Sequence, residues 1–273
     1  MKKTEYEILL ALSQGKDVGG SRLTGELLDR LRSEQLITAI RHGSRVSYRA
    51  VNPSEISRRF TLVDPSSLQS RAEQVEAYGD SKVVQMRSCP GFPVNVHSPL
   101  TVMLDGRELV LNPVSGAFTF ISDWKTFRIA PDVIVVGVEN MENFRLADRQ
   151  RHLFEYLESP LLFVSRYPQS GDLTRWLRTV PNRYVHFGDL DLAGINIFLT
   201  EFRKPLDDPQ GKRTEFFIPF DASERIARGS SERYDAQIAR FGNLDSDDPR
   251  LKYLISLIHK FRRGYDQEGF ISG

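Results

Sequence analysis

Two aspartates separated by one residue are the side chains in this sequence best suited to chemistry. They follow the apolar segment Tyr184–Phe187, which Gly188 ends, and they are Asp189 and Asp191. Carboxylates that follow a buried strand lie where α/β proteins bind their ligands. Their hard oxygen atoms are the ligands that Mg²⁺ and Mn²⁺ prefer. The pair predicts a divalent-metal site, with a simple helix N-cap as the alternative interpretation.

A third carboxylate follows another apolar segment earlier in the chain. Glu139 comes directly after Val133–Val138, a β-branched run typical of a strand buried in a parallel sheet. The carboxyl ends of parallel strands meet at one edge, so we expect Glu139 to lie near Asp189 and Asp191. Such carboxylates repel one another unless a cation neutralises them. We predict that Asp189 and Asp191 hold Mg²⁺ or Mn²⁺, and that Glu139 holds a metal or serves as general acid/base.

The elements that must position these carboxylates follow an alternating order of strand and helix from about residue 131 onwards. This order is typical of an α/β fold with a parallel sheet. The further strands are predicted at Leu161–Val164, Tyr184–Phe187 and Arg213–Ile218, and the helices at about 142–158, 173–179 and 251–263. Residues 131–273 are therefore predicted to form the catalytic domain.

The middle of the chain, residues 61–130, carries signals of short strands and none of chemistry. A helix is predicted from Asp64 to about Gly79, and residues 80–127 are β-rich. Asp105-Gly106 predicts the turn of a hairpin over 101–111, because this dipeptide accommodates positive φ angles. Residues 61–130 are therefore predicted to be a small connecting subdomain.

Residues 1–60 form a basic segment, with eleven Lys/Arg against seven Asp/Glu in a chain whose net charge is only +1. A helix, a second helix from Ser21 and a hairpin over 36–51 give the order of a winged-helix-like module, although Val18-Gly19-Gly20 is poor material for its middle helix. Such modules bind either DNA or protein partners. The candidate contacts to DNA phosphates are Arg22 and Arg30 on the second helix, Arg41, Arg45 and Arg49 on the hairpin, and Arg166 after the strand at 161–164.

The remaining composition excludes several classes of protein. Cys89 is the only cysteine, so a disulfide framework and a cysteine zinc site are excluded. No apolar run reaches membrane-spanning length, and we expect a cytoplasmic protein that makes no contact with a membrane. Ser165 and Ser170 lack the adjacent histidine and acid of a serine hydrolase, which argues against that class.

The order of these motifs resembles the Toprim domain, which topoisomerases, primases and several nucleases share. The resemblance rests on VIVVGVEN ending at Glu139 and Asn140, on LLFVS, and on YVHFGDLDLAG with its two aspartates, and it covers roughly residues 132–203. Within that family the Gly-Asp-x-Asp-x-Ala-Gly sequence is most similar to the topoisomerase VI A subunit and the JetD/MksG nucleases of Wadjet-type plasmid-defence systems. The late Asp266-Gln267-Glu268 also resembles the latter.

The resemblance implies a metal-dependent DNA endonuclease that acts on double-stranded DNA as a homodimer, with SMC-like ATPase and kleisin-type subunits as partners. It also adds Glu268 to the candidate metal ligands. Glu142 is a further candidate, although an acid in the first turn of a helix is already favoured by the helix dipole. The chain is short for a full JetD-like protein.

Two other functions stay open at this point. A topoisomerase VI A-like cleaving subunit would need a tyrosine nucleophile, and the candidate is Tyr48, which we expect to pack in the core of the N-terminal module. A non-enzymatic alternative is a winged-helix regulator whose α/β domain binds a ligand or a partner.

Overall fold

The protein is a mixed α/β structure with two compact units, Met1–Ser88 and Cys89–Gly273. The computed structural model describes residues 3–60, 62–64, 71–78, 89–167, 171–207 and 213–271. Among these residues, no helix combines the length and the apolar character needed to cross a membrane.

The first unit contains a three-stranded antiparallel sheet of order β1-β3-β2 and four helices in its described part. Its elements are α1 (Lys3–Ser13), β1 (Val18–Gly19), α2 (Gly25–Ser33), β2 (Ile37–His42), β3 (Arg45–Ala50), α3 (Pro53–Arg59) and α4 (Arg71–Tyr78). The predicted hairpin is confirmed, since β2 pairs with β3 from Ile37 opposite Ala50 to His42 opposite Arg45. Leu9, Leu31 and Ile56 are fully buried in the core of this unit.

The second helix begins later than the sequence predicted. It starts at Gly25 instead of Ser21, because residues 18–19 pair with β3 as a third strand and the Gly20 N–H donates to Val46 O at 2.7 Å. The helix predicted from Asp64 to about Gly79 is described only over Arg71–Tyr78, and its predicted start and end lie outside the described residues.

The second unit contains a six-stranded sheet, a separate two-stranded hairpin and the remaining helices. Its strands are β4 (Phe92–Val96), β5 (Leu100–Leu104), β6 (Arg107–Leu111), β7 (Thr119–Ile121), β8 (Ile134–Val138), β9 (Leu161–Ser165), β10 (Tyr184–Phe187) and β11 (Thr214–Phe216). Its α-helices are α5 (Met141–Arg145), α6 (Asp172–Leu177), α7 (Leu192–Ile197), α8 (Lys204–Leu206), α9 (Ala222–Arg228), α10 (Ser231–Phe241) and α11 (Pro249–Phe261). Residues Ala147–Phe154 and Gln267–Phe270 are 3-10 helices, and Phe198–Arg203 is a π-helix.

Strands β11, β10, β8 and β9 are mutually parallel and adjacent in that order, which confirms the alternating α/β pattern read from the sequence. β4 then pairs antiparallel with β9, and β7 pairs antiparallel with β4. Two strands of the predicted connecting region thus belong to the same sheet as the predicted catalytic strands. The compact unit accordingly starts at Cys89, not near residue 130.

The helix predicted at 142–158 is shorter than expected. α5 ends at Arg145 and a 3-10 helix follows over Ala147–Phe154. The buried Gln150 side chain stabilises this change, because its Nε2 donates to Asn143 O at 2.9 Å and to Leu146 O at 3.1 Å. Those contacts take up carbonyl oxygens at the end of α5.

The hairpin predicted over 101–111 is confirmed as β5 and β6. Asp105 and Gly106 both have positive φ, at 50° and 72°, as a two-residue hairpin turn of this type requires.

The pairing of β4 with β7 generates a prediction at Gly91, which has a φ of 119° just before β4. A Cβ there would lie 2.0 Å from Ile121 O at the end of β7. Gly91→Ala should lower the free energy of unfolding by more than about 2 kcal/mol, because a backbone carbonyl cannot rotate away. The matched control is Gly116→Ala, where φ is 77° but no atom lies within 4 Å of the added Cβ. Equal losses for the two variants in urea unfolding would contradict the β4–β7 pairing.

Candidate active site

Strands β8 and β10 bring the predicted carboxylates to one edge of the sheet. Val138 is opposite Phe187 in the parallel register, and the Glu139 N–H donates to Phe187 O at 3.1 Å. A Cβ placed on Gly188 would lie 3.0 Å from Cδ of Glu139. The Glu139 carboxylate therefore lies directly beside the turn that carries Asp189 and Asp191.

Asp191 is the N-cap of α7 and is almost completely buried. Its Oδ1 accepts from the Gly194 N–H at 2.7 Å, as a capping aspartate does. Its Oδ2 accepts from Gln237 Nε2 at 2.7 Å. Asp191 is therefore a helix cap through Oδ1, as the alternative interpretation predicted. Its Oδ2 is left to bind Gln237 and to pair with Arg233 at 3.3 Å.

Asp189 does not cap a helix in this structure. Its Oδ1 accepts from the backbone N–H of Gln267 at 2.8 Å, and its Oδ2 lies 3.3 Å from Nη1 of Arg233. Burial raises the pKa of Asp189 to about 7, and the nearby charges of Asp191 and Glu139 act in the same direction. The Gln267 N–H and the Arg233 guanidinium oppose this rise without overcoming it.

Arg233 on α10 is the cation of this cluster, and sequence reasoning did not identify it. Its Nη1 lies 3.3 Å from an oxygen of Asp189 and 3.3 Å from one of Asp191, and its Nε pairs with Asp266. Burial opposes the charged form, yet the three aspartates raise the pKa of Arg233 above its ordinary value. Arg233 and Gln237 lie four residues apart on one helix face, which was the only signal in the sequence that they act together.

Gln267 joins the ends of β8 and β10, and all of its polar groups are used. Besides the bond to Asp189, its Nε2 donates to Phe187 O at 2.9 Å and its Oε1 accepts from the Asn140 N–H at 2.8 Å. Its backbone carbonyl accepts from Asn143 Nδ2 at 2.7 Å. The side chain is fully buried, so the Asp266-Gln267-Glu268 segment is a structural part of the site.

The other candidate residues around the site have different positions. Glu142 is exposed in the first turn of α5, as the helix-dipole interpretation predicted. Glu268 is exposed, and its Oε1 accepts from Asn140 Nδ2 at 2.6 Å. Arg166 follows β9 and pairs with Glu201. In the described part of the chain, none of these three side chains forms a hydrogen bond or an ion pair with Asp189 or Asp191.

The basic residues of the first unit divide into paired and unpaired cations. Arg22 pairs with Glu7, Arg30 with Glu34, and Arg49 forms a bidentate pair with Asp17. Arg41 and Arg45 lie on neighbouring strands of the hairpin and are exposed. Within the described ranges, these two arginines have no carboxylate partner.

The carboxylate oxygens of the site suit a hard divalent cation, but the guanidinium of Arg233 already contacts two of the three carboxylates. Glu139, Asp189 and Asp191 supply only carboxylate oxygens, the ligand type that Mg²⁺ and Mn²⁺ prefer. No group of three or more His, Cys, Asp or Glu in the described part of the chain is arranged to hold a metal ion. Arg233 instead supplies the positive charge between Asp189 and Asp191.

Comparisons with known proteins leave the family of this chain open. No protein-family model matches it, and no curated protein matches it.

The burial of Gln267 generates a prediction about stability. Gln267→Ala leaves Phe187 O and the Asn140 N–H without the partners described above, and we expect a loss of about 3 kcal/mol in the free energy of unfolding. Glu268→Ala is the matched control, since Glu268 is the exposed neighbour in the same 3-10 helix. Urea unfolding of both variants checks this, and similar losses would contradict the assigned role of Gln267.

The raised pKa of Asp189 generates a prediction about pH. The pKa of this carboxyl is 3.8 in the unfolded chain and about 7 in the folded protein. Folding therefore becomes less favourable as pH rises from about 4 to about 7, because the unfolded chain ionises in this range and the folded protein does not. Asp189→Asn cannot ionise, so its stability relative to the wild type should increase by about 3 kcal/mol between about pH 5 and about pH 8. Urea unfolding in EDTA measures the difference. Asp132→Asn, at an exposed carboxylate, is the control, and a pH-independent difference for Asp189→Asn would contradict the prediction.

Proposed function

We propose that the protein is a Toprim-type, divalent-metal-dependent DNA endonuclease that resembles the nuclease subunit of an SMC/condensin-like plasmid-defence complex. One observation carries the proposal. Glu139 and the Asp189-x-Asp191 pair follow adjacent parallel strands and converge at the carboxyl edge of the sheet. This is the arrangement that the resemblance to Toprim domains implies for their acidic residues.

In this proposal Asp189 and Asp191 hold Mg²⁺ or Mn²⁺, and Glu139 either holds a metal or serves as general acid/base. A bound ion would activate a water and offset charge on the phosphodiester. The chain's own residues define the surroundings. Asp191 is fixed by the Gly194 N–H and Gln237, and Asp189 by the Gln267 N–H, so the two carboxylates are held before any ligand binds.

Arg233 supports the proposal because its guanidinium supplies a positive charge to the acidic cluster. Its Nη1 lies 3.3 Å from an oxygen of Asp189 and 3.3 Å from an oxygen of Asp191. Two carboxylates that contact the same nitrogen repel each other, so they need a counter-charge from the protein or from a metal.

We infer that the first unit is a winged-helix-like module that holds duplex DNA. The order α1, β1, α2, β2, β3 with a three-stranded antiparallel sheet supports this inference. Arg41 and Arg45 are the hairpin cations that remain available to phosphate, whereas Arg22, Arg30 and Arg49 already have carboxylate partners. Contacts to phosphates would position the DNA without reading its sequence. A homodimer and SMC-like and kleisin-type partners are inferred from the resemblance alone.

The topoisomerase VI A-like alternative depends on Tyr48, and its surroundings favour the nuclease. The Tyr48 side chain is buried, its hydroxyl accepts from Arg32 Nη2 at 2.6 Å, and the Arg32 guanidinium stacks on its ring. A nucleophile must reach a phosphate. The packed position of Tyr48 fits the structural role expected for it.

Cleavage of a supercoiled plasmid with Mn²⁺ tests the proposal. Glu139→Gln and Asp191→Asn should each reduce the nicking rate by about 100-fold, because each removes charge that would face the metal or the reacting water. Glu158→Gln, an exposed acid of the same unit, is the matched control and should cleave like the wild type.

The same assay separates the alternatives. DNA binding that persists in EDTA, with no cleavage by the wild type in Mn²⁺, would favour the non-enzymatic regulator. A covalent protein–DNA adduct that Tyr48→Phe abolishes would favour the topoisomerase-like subunit. Equal nicking by Glu139→Gln and the wild type would refute the role given to Glu139.

A further inference from the structure

A buried chain of hydrogen bonds leads from the interior of the sheet to Glu139. The Tyr184 hydroxyl lies 3.0 Å from Nδ1 of His186, and Nε2 of His186 lies 3.1 Å from Oε1 of Glu139. Tyr184 is completely buried and His186 almost so, whereas the Glu139 side chain keeps 15% of its surface exposed. The chain therefore begins in the core and ends at the candidate site.

Two glycines leave the space that the hydrogen-bonded side chains of Tyr184, His186 and Glu139 occupy. A Cβ on Gly137, in the neighbouring strand β8, would lie 2.0 Å from the Tyr184 hydroxyl oxygen. A Cβ on Gly188 would lie 3.0 Å from both Oε2 of Glu139 and Nε2 of His186. Any larger residue at either position would displace a member of the chain.

The apolar surroundings of His186 give no reason for a polar side chain at this position. Its ring packs against three phenylalanines, with ring centroids 5.5 Å from Phe198, 4.9 Å from Phe202 and 5.5 Å from Phe216. A residue that only filled this place would be apolar, because burying an imidazole is favourable only when its nitrogens have partners. Both nitrogens have partners here, and one of them is Glu139.

The partners also fix which nitrogen carries the proton in the neutral ring. Nε2 faces a carboxylate, which only accepts, so Nε2–H must donate to Glu139. Nδ1 then accepts from the Tyr184 hydroxyl. Burial raises the pKa of Tyr184 well above its ordinary value, and the charge of Glu139 adds to this rise, so the hydroxyl retains the proton that it donates.

We propose that His186 is a positioning residue for Glu139: its Nε2–H fixes Oε1 of the carboxylate and leaves Oε2 free, so that Oε2 could bind a metal or act on the reacting water. The inference rests on the proposed function, which it deepens. Among the described residues Oε2 of Glu139 has no hydrogen-bond donor, so it is the free oxygen of the carboxylate. The Glu139 carboxylate keeps His186 in the tautomer that makes this bond, and the space beside Gly137 lets the Tyr184 hydroxyl reach Nδ1.

Three substitutions separate positioning from packing. His186→Phe keeps a ring among the phenylalanines but removes the donor to Glu139. His186→Gln keeps a donor, because its side-chain amide reaches the position of Nε2. Tyr184→Phe removes only the hydroxyl that donates to Nδ1 and leaves the bond between Nε2–H and Glu139 in place. Thermal unfolding of each variant establishes that it is folded before any other measurement.

If His186 positions Glu139, the effect of each substitution depends on whether it keeps a hydrogen-bond donor to Glu139, and not on whether it keeps a ring. His186→Phe should lower both the affinity for Mn²⁺ and the nicking rate at saturating plasmid by about 10- to 100-fold, with KM for DNA unchanged. His186→Gln should recover most of both losses, although it packs less well. Two-bond ¹H–¹⁵N correlation spectra of the wild type should show His186 as the Nε2–H tautomer, and Tyr184→Phe should retain it because Glu139 still accepts from Nε2.

The outcomes that overturn this inference differ from those that overturn the nuclease. If His186→Phe is folded and retains Mn²⁺ affinity and nicking, or if His186→Gln loses as much as His186→Phe, His186 does not position Glu139. An Nδ1–H tautomer in the wild type also overturns it. If the wild type neither nicks DNA nor binds Mn²⁺ while the Nε2–H tautomer is observed, the proposed function fails and the hydrogen-bonded chain stands.

Discussion

Repulsion between carboxylates at the end of β8 and β10 is the constraint on which the rest of the second unit depends. The register of the two strands places Glu139 beside the turn that carries Asp189 and Asp191. Arg233 offsets the two aspartates, and His186 binds the glutamate. Arg233 on α10 thus serves both aspartates and His186 on β10 serves the glutamate, and the guanidinium counters the repulsion at this edge of the sheet.

The C-terminal segment completes this arrangement from a long distance along the chain. Leu190 and Tyr265 exchange backbone hydrogen bonds, and Gln267 then binds Asp189, Phe187 and Asn140. The segment therefore lies along the acidic turn and holds the ends of two strands together. Because these bonds are buried, the residues after α11 contribute to the geometry of the candidate site as directly as the strands do.

The sequence predicted those features that local patterns determine. Apolar runs such as Val133–Val138 defined the parallel strands, and the rule that their carboxyl ends meet at one edge placed Glu139 near Asp189. It did not predict that β4 joins β9, because no local pattern specifies which strand becomes the neighbour of another. The roles of Arg233 and Gln267 were missed for the same reason, since their contacts to Asp189 and Asp191 span 42 or more positions in the chain. The hydrogen bonds of His186 were not predicted either, because an apolar strand pattern indicates burial and not hydrogen bonding.

The different roles of the two aspartates bear on whether this cluster has a function. Asp191 stabilises the fold, because its Oδ1 caps α7 and its Oδ2 accepts from Gln237. Asp189 has the opposite effect when ionised, since burial and the neighbouring charges raise its pKa to about 7. An asparagine at 189 could accept from the Gln267 N–H equally well without that penalty. A carboxylate that folding disfavours, held by a backbone donor beside two other acids, is what a cation-binding site requires and what a purely structural turn does not. This difference between two aspartates in one turn adds to the support that the convergence of Glu139 with the pair gives to the proposed chemistry.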